Sequence, residues 1–398
     1  MKNRFYSTLS VLVLMILYAP VYGQELNFFH YGLTDGISQQ TIRCIEKDSR
    51  GFIWIGTQDG LNKFDGHSFK VFRHSDKDTL AIKGKFINDI LENSDGTIWV
   101  ATANHGVSYY DPNKDVFVRT VIQDGNCSSL SKDLKGNIYA TFLDRSPVLF
   151  KKRESLYEPK TLLKNILYEE NMSSSLVINS KLYLGTSTGS VIEVDLDQNE
   201  LVKRHKFDKI GIIDEMLFIE NHLLIGSSRG LYTLNSDAEL SSIDLGTISN
   251  QSIKNIVVEA ITAFEDKLYV GTDNGFFLLN EFSTATPFKN VTHYIGDKAN
   301  RNTITSNRVY DILVDDTLIW IGTNNLDVAS IQPPVFKTIN TSSAPRLNNN
   351  YVFSIYKTPN YLFVGTRDGL NCIDTNGKVT LITKENTNQQ LAFNVIRV

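Results

Sequence analysis

Proton transfer, metal binding and nucleophilic attack each need particular side chains at particular spacings, and this chain offers few of them. Its seven histidines, at positions 30, 67, 74, 105, 205, 222 and 293, are scattered, with no HExxH and no pair at ligand spacing on one strand face. No metal centre is therefore expected. The three cysteines, Cys44, Cys127 and Cys372, include no CxxC pair and fit small buried apolar residues better than a disulfide framework or a zinc site. Asp195-x-Asp197-x-Asn199 opens like a calcium loop, but Glu200 stands where glycine is required and the distal glutamate is missing. There is no GxSxG elbow, phosphate-cradling glycine loop or kinase signature. No catalytic residue, metal or cofactor is expected. What remains is recognition: short polar groups, namely Gln58 and Asp59, Asn104 and His105, Asp144 and Arg145, Arg229, Asp273 and Asn274, and Asn324 and Asn325, each following a similar apolar segment. Arg145 and Arg229 suit bidentate pairing with a uronate or sulfate if the ligand is acidic.

The segments that must position these groups repeat. Aligned on the tetrad W-I-G-T, the chain shows IWIGT (53–57), IWVAT (98–102), IYAT (138–141), LYLGT (182–186), LLIGS (223–227), LYVGT (268–272), IWIGT (319–323) and LFVGT (362–366). The third copy reads as one residue short, with Ala140 as its small residue. A period of about 44 residues is that of a propeller blade. Each unit reads as an inner strand with period-two apolar alternation, a turn, the tetrad strand, a second turn, a third strand such as GLNKFD, and a weaker fourth. The predicted fold class is all-β, a propeller of four-stranded antiparallel blades.

Residue types within the tetrad have separate expected jobs. Trp54, Trp99 and Trp320 share one repeat position with Tyr183, Leu224, Tyr269 and Phe363; a large ring there fills the wedge between neighbouring twisted sheets. The following Gly or Ala leaves room for close backbone approach, and the Thr or Ser after it ties down the turn. Asp48-x-x-Gly51-x-x-Trp54 shares the turn mechanics of the sialidase Asp-box but not its spacing. By antiparallel topology, the loop entering each inner strand and the turn after each tetrad share one ring face, which is where the polar candidates fall. Loops on a rigid scaffold commonly carry recognition.

Met1 to Gly23 has a basic start and an apolar run from Leu9 to Tyr18, the pattern of a secretory signal peptide cleaved before Gln24. The apolar run is shorter than a spanning helix needs. Over the whole chain 40 Lys and Arg oppose 44 Asp and Glu. Losing Lys2 and Arg4 leaves 38 against 44, which argues against general nucleic-acid binding. Leu26 to Leu33 reads as an outermost strand that completes the last blade, and Leu391 to Val398 as the inner strand of a ninth unit.

The string GLTDGISQQTIRCIEKDSRGFIWIGTQDGLNKFDG (32–66), followed by IWVATANHGVSYYD and a later IWIGT, is similar to the two-component regulator propeller repeats of bacterial periplasmic sensors. The resemblance implies a seven-bladed ring over 24–340 and the first blade and incomplete second blade of a second propeller over 341–398; a single eight-bladed ring is the alternative. It further implies a periplasmic, oligosaccharide-sensing region of a sensor histidine kinase, without kinase activity itself. The membrane span and kinase would lie beyond Val398, and the full-length receptor could be a homodimer. A propeller glycosidase or lyase, or a protein-binding scaffold, remain the competing functions.

Overall fold

The computed structural model describes residues 26–153, 156–163, 170–245, 247–248, 251–252, 256–283, 290–315, 317–331, 339, 341 and 345–387. The proposed signal peptide and the 391–398 strand lie outside these. The chain divides into two compact units, Met1–Gln332 and Pro333–Val398.

Among the described residues, the first unit holds seven four-stranded antiparallel sheets and a short hairpin, Thr247–Ile248 with Gln251–Ser252. Blade 1 runs Ile42–Lys47, Ile53–Thr57, Gly60–Phe64 and Phe69–Phe72. The inner strands of blades 2 to 7 are Ile87–Glu92, Cys127–Lys132, Met172–Ile178, Ile213–Ile219, Val258–Phe264 and Asp311–Val314. Each inner strand meets the next, and that of blade 7 returns to that of blade 1, so they surround one central channel. Closure is as the sequence predicts: Asn27–Tyr31 pairs antiparallel with Leu326–Ser330 and becomes the outer strand of blade 7.

Packing explains the tetrad. Trp54 and Trp99 are fully buried, and each reaches across to the following blade, Trp54 to Tyr110 (centroids 5.1 Å) and Trp99 to Phe150 (5.1 Å) and Tyr157 (4.7 Å). Trp320 reaches Phe64 across the seam at 6.0 Å. A Cβ on Gly56 would lie 2.7 Å from Ile87 Cγ2, and one on Gly271 2.9 Å from Val309 Cγ1. The glycine thus admits an apolar residue at the start of the next blade's inner strand (Ile87) or just before it (Val309). Thr57 Oγ1 donates to Gly60 O (2.9 Å) and accepts from Asp59 N–H (3.1 Å). Gly60 itself has φ 115°, with Phe72 O 2.6 Å from any added Cβ, so the turn accepts only glycine without strain. Asp48 secures the wedge from the other end: Oδ1 accepts from Arg50 and Phe52 N–H, and Oδ2 from Trp54 Nε1 (2.9 Å).

Blade 3 corrects one reading. Its tetrad strand is Ile138–Phe142, and cross-strand register puts Tyr139 opposite Ser131, as Trp54 is opposite Glu46. The strand is therefore full length. Thr141 occupies the small-residue slot, Phe142 the Thr slot and Tyr139 the wedge slot, so Ala140 is not the counterpart of Gly56. Asp133 Oδ2 accepts from Tyr139 OH (3.0 Å), repeating the Asp48–Trp54 arrangement with a phenol.

The second unit contains one four-stranded sheet among the described residues: Val352–Lys357, Tyr361–Thr366, Gly369–Asp374 and Val379–Ile382. Leu347, Val364 and Ile373 form its buried cluster.

Candidate functional site at the channel mouth

In blades 2 to 6 the turn after the tetrad strand is laced to the loop entering the same blade's inner strand. Ala103, Leu143, Ser187, Ser228 and Asp273 donate their N–H groups to Phe86, Asn126, Asn171, Ile212 and Val257 carbonyls (2.9–3.1 Å). These bonds tie the loops of one ring face to their own blades, and the sequence-derived candidates follow the tetrad strands on that face. Gln58, Asn104, Asp144, Arg229, Asp273, Asn274 and Asn324 are exposed, while Asp59, His105, Arg145 and Asn325 are half-buried.

The structure brings few of them into mutual contact. Arg145 pairs with Asp124 (3.1 Å), lies 3.6 Å from Asp144 and covers the Phe142 ring at 5.4 Å. Its guanidinium is thus already engaged. Asp59 pairs with Arg73 (3.5 Å), His105 stands 5.6 Å from the His74 ring, and Asn274 O contacts His293 Nε2 (2.6 Å). Asp273 Oδ1 accepts from Val257 N–H (3.1 Å), and Asn325 N–H donates to Thr323 Oγ1. Asp195 serves as a turn acceptor for Asp197 and Gln198 N–H (2.9 Å each). Among the described residues no three His, Cys, Asp or Glu side chains are grouped as a metal site.

A second set converges more tightly, and period-two reading of the sequence hides it. In six of the seven ring blades the inner strand carries a bulge immediately after its first residue, as between Ile42 and Cys44 or Ile213 and Glu215. A bulge re-aims a side chain that regular alternation would send elsewhere. The extra residues are Arg43, Asn88, Ser128, Ser173, Asp214 and Glu259, and Tyr310 precedes the blade 7 strand at the corresponding point. Arg43 lies between the rings of Tyr310 (5.0 Å) and Phe86 (5.7 Å), its Nε buried without a hydrogen-bond partner among the described residues. Asn88 Nδ2 donates to Cys127 O (2.7 Å), Ser128 Oγ to Met172 O (2.8 Å) and Ser173 Oγ to Ile213 O (2.6 Å), each reaching the next blade. Glu259 pairs with Arg308 Nε at 2.8 Å.

One residue deeper stands a set of carboxylates. Asp89 Oδ2 accepts from Leu130 N–H (2.7 Å) and Asp311 Oδ2 from Ile45 N–H (2.6 Å), so each staples its blade to the following one. Glu215 comes from the opposite side of the ring. Burial raises the pKa of Asp89 to about 7, of Asp214 to about 7 and of Asp311 to about 6. Burial also raises Glu215, helped by the charges of Asp89 and Asp311. The charges of blades 2 and 7 thus act on a carboxyl of blade 5. Backbone N–H groups oppose the upward shift at Asp89 and Asp311, and the charge of Arg43 opposes it at Asp214, together with Arg308, and more weakly at Asp311.

A seven-sheet ring closed by its own first strand defines the protein's class as a β-propeller. Within that class, residues 36–59 and 81–104 match the family model described as "Two component regulator propeller", so the first two blades carry repeats of that kind. A stretch of 75 residues is 43% identical to "Histidine kinase P4" of Formosa agariphila, covering 18% of this chain and 6% of that protein. Similar solved structures include the extracellular domains of two putative hybrid two-component systems from B. thetaiotaomicron. One has TM-score 0.65 at 20% identity over 94% of this chain and 50% of its own, the other 0.62 at 17% over 90% and 47%. Virginiamycin B lyase from Staphylococcus aureus also matches, with TM-score 0.57 at 14% identity over 77% of this chain and all of its own. At these identities the structural likenesses establish the fold. The chain spans about half the length of the solved sensor domains it matches. Among the described residues no helix is long and apolar enough to cross a membrane.

Proposed function

We propose that the ring is the ligand-reading part of an exported two-component receptor, and that a small oligosaccharide binds at the channel mouth. The observation that carries this is the bulged inner strand. Repeated in blades 1, 2, 5 and 6, it sets Arg43, Asn88, Asp214 and Glu259 around a single opening, where Tyr310, just before the blade 7 strand, adds an aromatic ring to these planar polar groups. Such a mixture matches the alternating hydroxyl and C–H faces of a sugar. The family repeats and the sensor-domain likenesses support the receptor reading. In that reading, ligand binding shifts the arrangement of the ectodomain and, through a span and kinase on the complete receptor, the output. The location is the periplasm, and residues 24–398 alone have no kinase activity.

Thermal unfolding with a panel of neutral and acidic oligosaccharides tests this. Ligand at about 100 times its dissociation constant stabilises by roughly 2.7 kcal/mol, and Arg43→Ala should remove the shift while leaving the unliganded transition in place. No shift with any oligosaccharide, on a complete ectodomain, would overturn the sugar assignment. The converging carboxylates also suit a glycosidase or lyase. Two of them, Asp89 and Asp311, already hold backbone N–H groups of the next blade, which favours a structural role. Turnover of any sugar in the same panel would decide for the enzyme.

A further inference from the structure

Among the described residues of the ring, blade 7 alone places a carboxylate at one core position of its third strand, and it lies on the seam. The third strand of each blade has a position facing the middle of the tetrad strand: Asn62 opposite Ile55, Ser108 opposite Val100, Tyr232 opposite Ile225 and Phe277 opposite Val270. In blade 7 it is Asp327, opposite Ile321, with no exposed side-chain surface. A buried carboxylate is costly unless its oxygens are satisfied and its charge is met. Asp327 Oδ2 accepts from Thr305 N–H (2.8 Å), and hydroxyls of Thr305 and Thr323 lie at 3.0 Å. Its charge is met by His30 on the closing strand, with Nδ1 2.8 Å from Asp327 Oδ1.

The other nitrogen of His30 fixes its protonation. Nε2 lies 2.8 Å from the carbonyl oxygen of Arg301, which can only accept. Both ring nitrogens therefore face acceptors, and only the imidazolium donates to both. A neutral ring would set a lone pair against an oxygen on one side and leave Asp327 buried without a counter-charge. The groups acting on the charge of His30 are the Asp327 carboxylate from the neighbouring strand and the Arg301 carbonyl from the 297–307 loop. The Asp327 hydrogen bond raises its pKa, burial opposes, and the Arg301 carbonyl raises it again.

We propose that His30 and Asp327 form a proton-dependent latch on the propeller seam, clamped while the imidazole is charged and loosened when it loses its proton. The sign follows from linkage. A pKa raised on closure gives stability that is complete below the ordinary histidine value of about 6.5 and is lost as pH rises through the raised one. The latch would make the seam the part of the ring that opens first in alkaline surroundings.

Hydrogen exchange of the full chain at pH 6 and pH 8.5 tests this. Protection of residues 27–31, each pH corrected for intrinsic exchange and divided by that of 42–47, should fall severalfold between the two in the wild type. His30→Gln should show the weaker ratio at both pH values. His30→Gln with Asp327→Asn, which places in blade 7 the amide that blade 1 uses, should recover protection without pH dependence. An unchanged wild-type ratio would overturn the proposal. Should the variants fail to fold, the titration of the His30 ring in histidine-labelled wild-type protein still decides: a midpoint above 6.5 supports the latch, and one at or below 6.5 refutes it.

Discussion

Blade 1 and the sheet of residues 352–382 are built to one pattern and end in different surroundings. In blade 1, Ser38 N–H donates to Asn62 Oδ1 (2.8 Å), and Asn62 Nδ2 donates to Ser38 Oγ (3.0 Å) and Ile55 O (3.2 Å). In the second unit Asn348 N–H donates to Asn371 Oδ1 (3.1 Å), and Asn371 Nδ2 to Asn348 Oδ1 (2.6 Å) and Val364 O (3.3 Å). Thr366 Oγ1 grips Gly369 O as Thr57 Oγ1 grips Gly60 O. The apolar positions part company. Ile45 is 6% exposed and its counterpart Ile355 67%; Ile42 is fully buried and Val352 is 40% exposed. Polar bonds inside a blade are thus specified by the blade's own sequence, whereas the apolar residues of its inner strand are specified for a neighbouring sheet.

The sharpest way to break this contrast is a charge at matched positions. Ile45→Asp should cost more than about 4 kcal/mol, whereas Ile355→Asp should stay within about 0.5 kcal/mol, both read from urea unfolding with exchange resolving the two sheets. Next comes the wedge. Trp54→Ala should lose about 3–5 kcal/mol, and Phe363→Ala, at a half-buried site, no more than about 2 kcal/mol. The shared polar network should behave in the opposite way: Asn62→Ala and Asn371→Ala should each cost about 1–3 kcal/mol. A large inequality between those two would mean that even the polar module depends on neighbours.

The smallest expected effect is on pH and belongs to the ring. Carboxylates raised by burial, Glu46 and Asp89 to about 7 and Asp311 to about 6, bind protons more tightly folded than unfolded. Their contribution is complete below the ordinary carboxylate range and disappears as pH climbs towards 7. At the acid end Asp95 acts oppositely: burial works against its charge, but hydrogen bonds from Lys152, Thr97 and Tyr157 hold it near 2. The melting temperature of the ring should therefore peak at about pH 4 and decline towards pH 8. Asp89→Asn should flatten the alkaline limb.

Repetition made the blades legible in the sequence, since Trp54, Gly56 and Thr57 each recur for a reason that a single unit already displays. The closing strand was legible too, because an apolar segment without its own tetrad needs a blade to join. Blade 3 misled because Thr141 stands in a slot kept for Gly or Ala, and aligning on small residues slid the strand by one. The inner-strand carboxylates Asp89 and Glu215 escaped because a bulge places two polar residues side by side, so strict alternation assigns one of them to the wrong face. His30 and Asp327 are 297 positions apart, and no local pattern joins them. The turn residues proposed for binding were located on their face by topology, but their side-chain partners follow from loop paths that the repeat does not encode.

The seam also carries a consequence in time. At about 5–20 residues per second of synthesis, the strand Asn27–Tyr31 emerges roughly 15–60 seconds before Leu326–Ser330, its ladder partner. Through that interval six blades can assemble in order while the ring stays an open arc with a bare edge at each end. The last step is then a long-range docking whose rate depends on how well the early strand has been kept from other partners. Export would extend the same wait, and a chain delivered unfolded would close only once Ser330 had crossed.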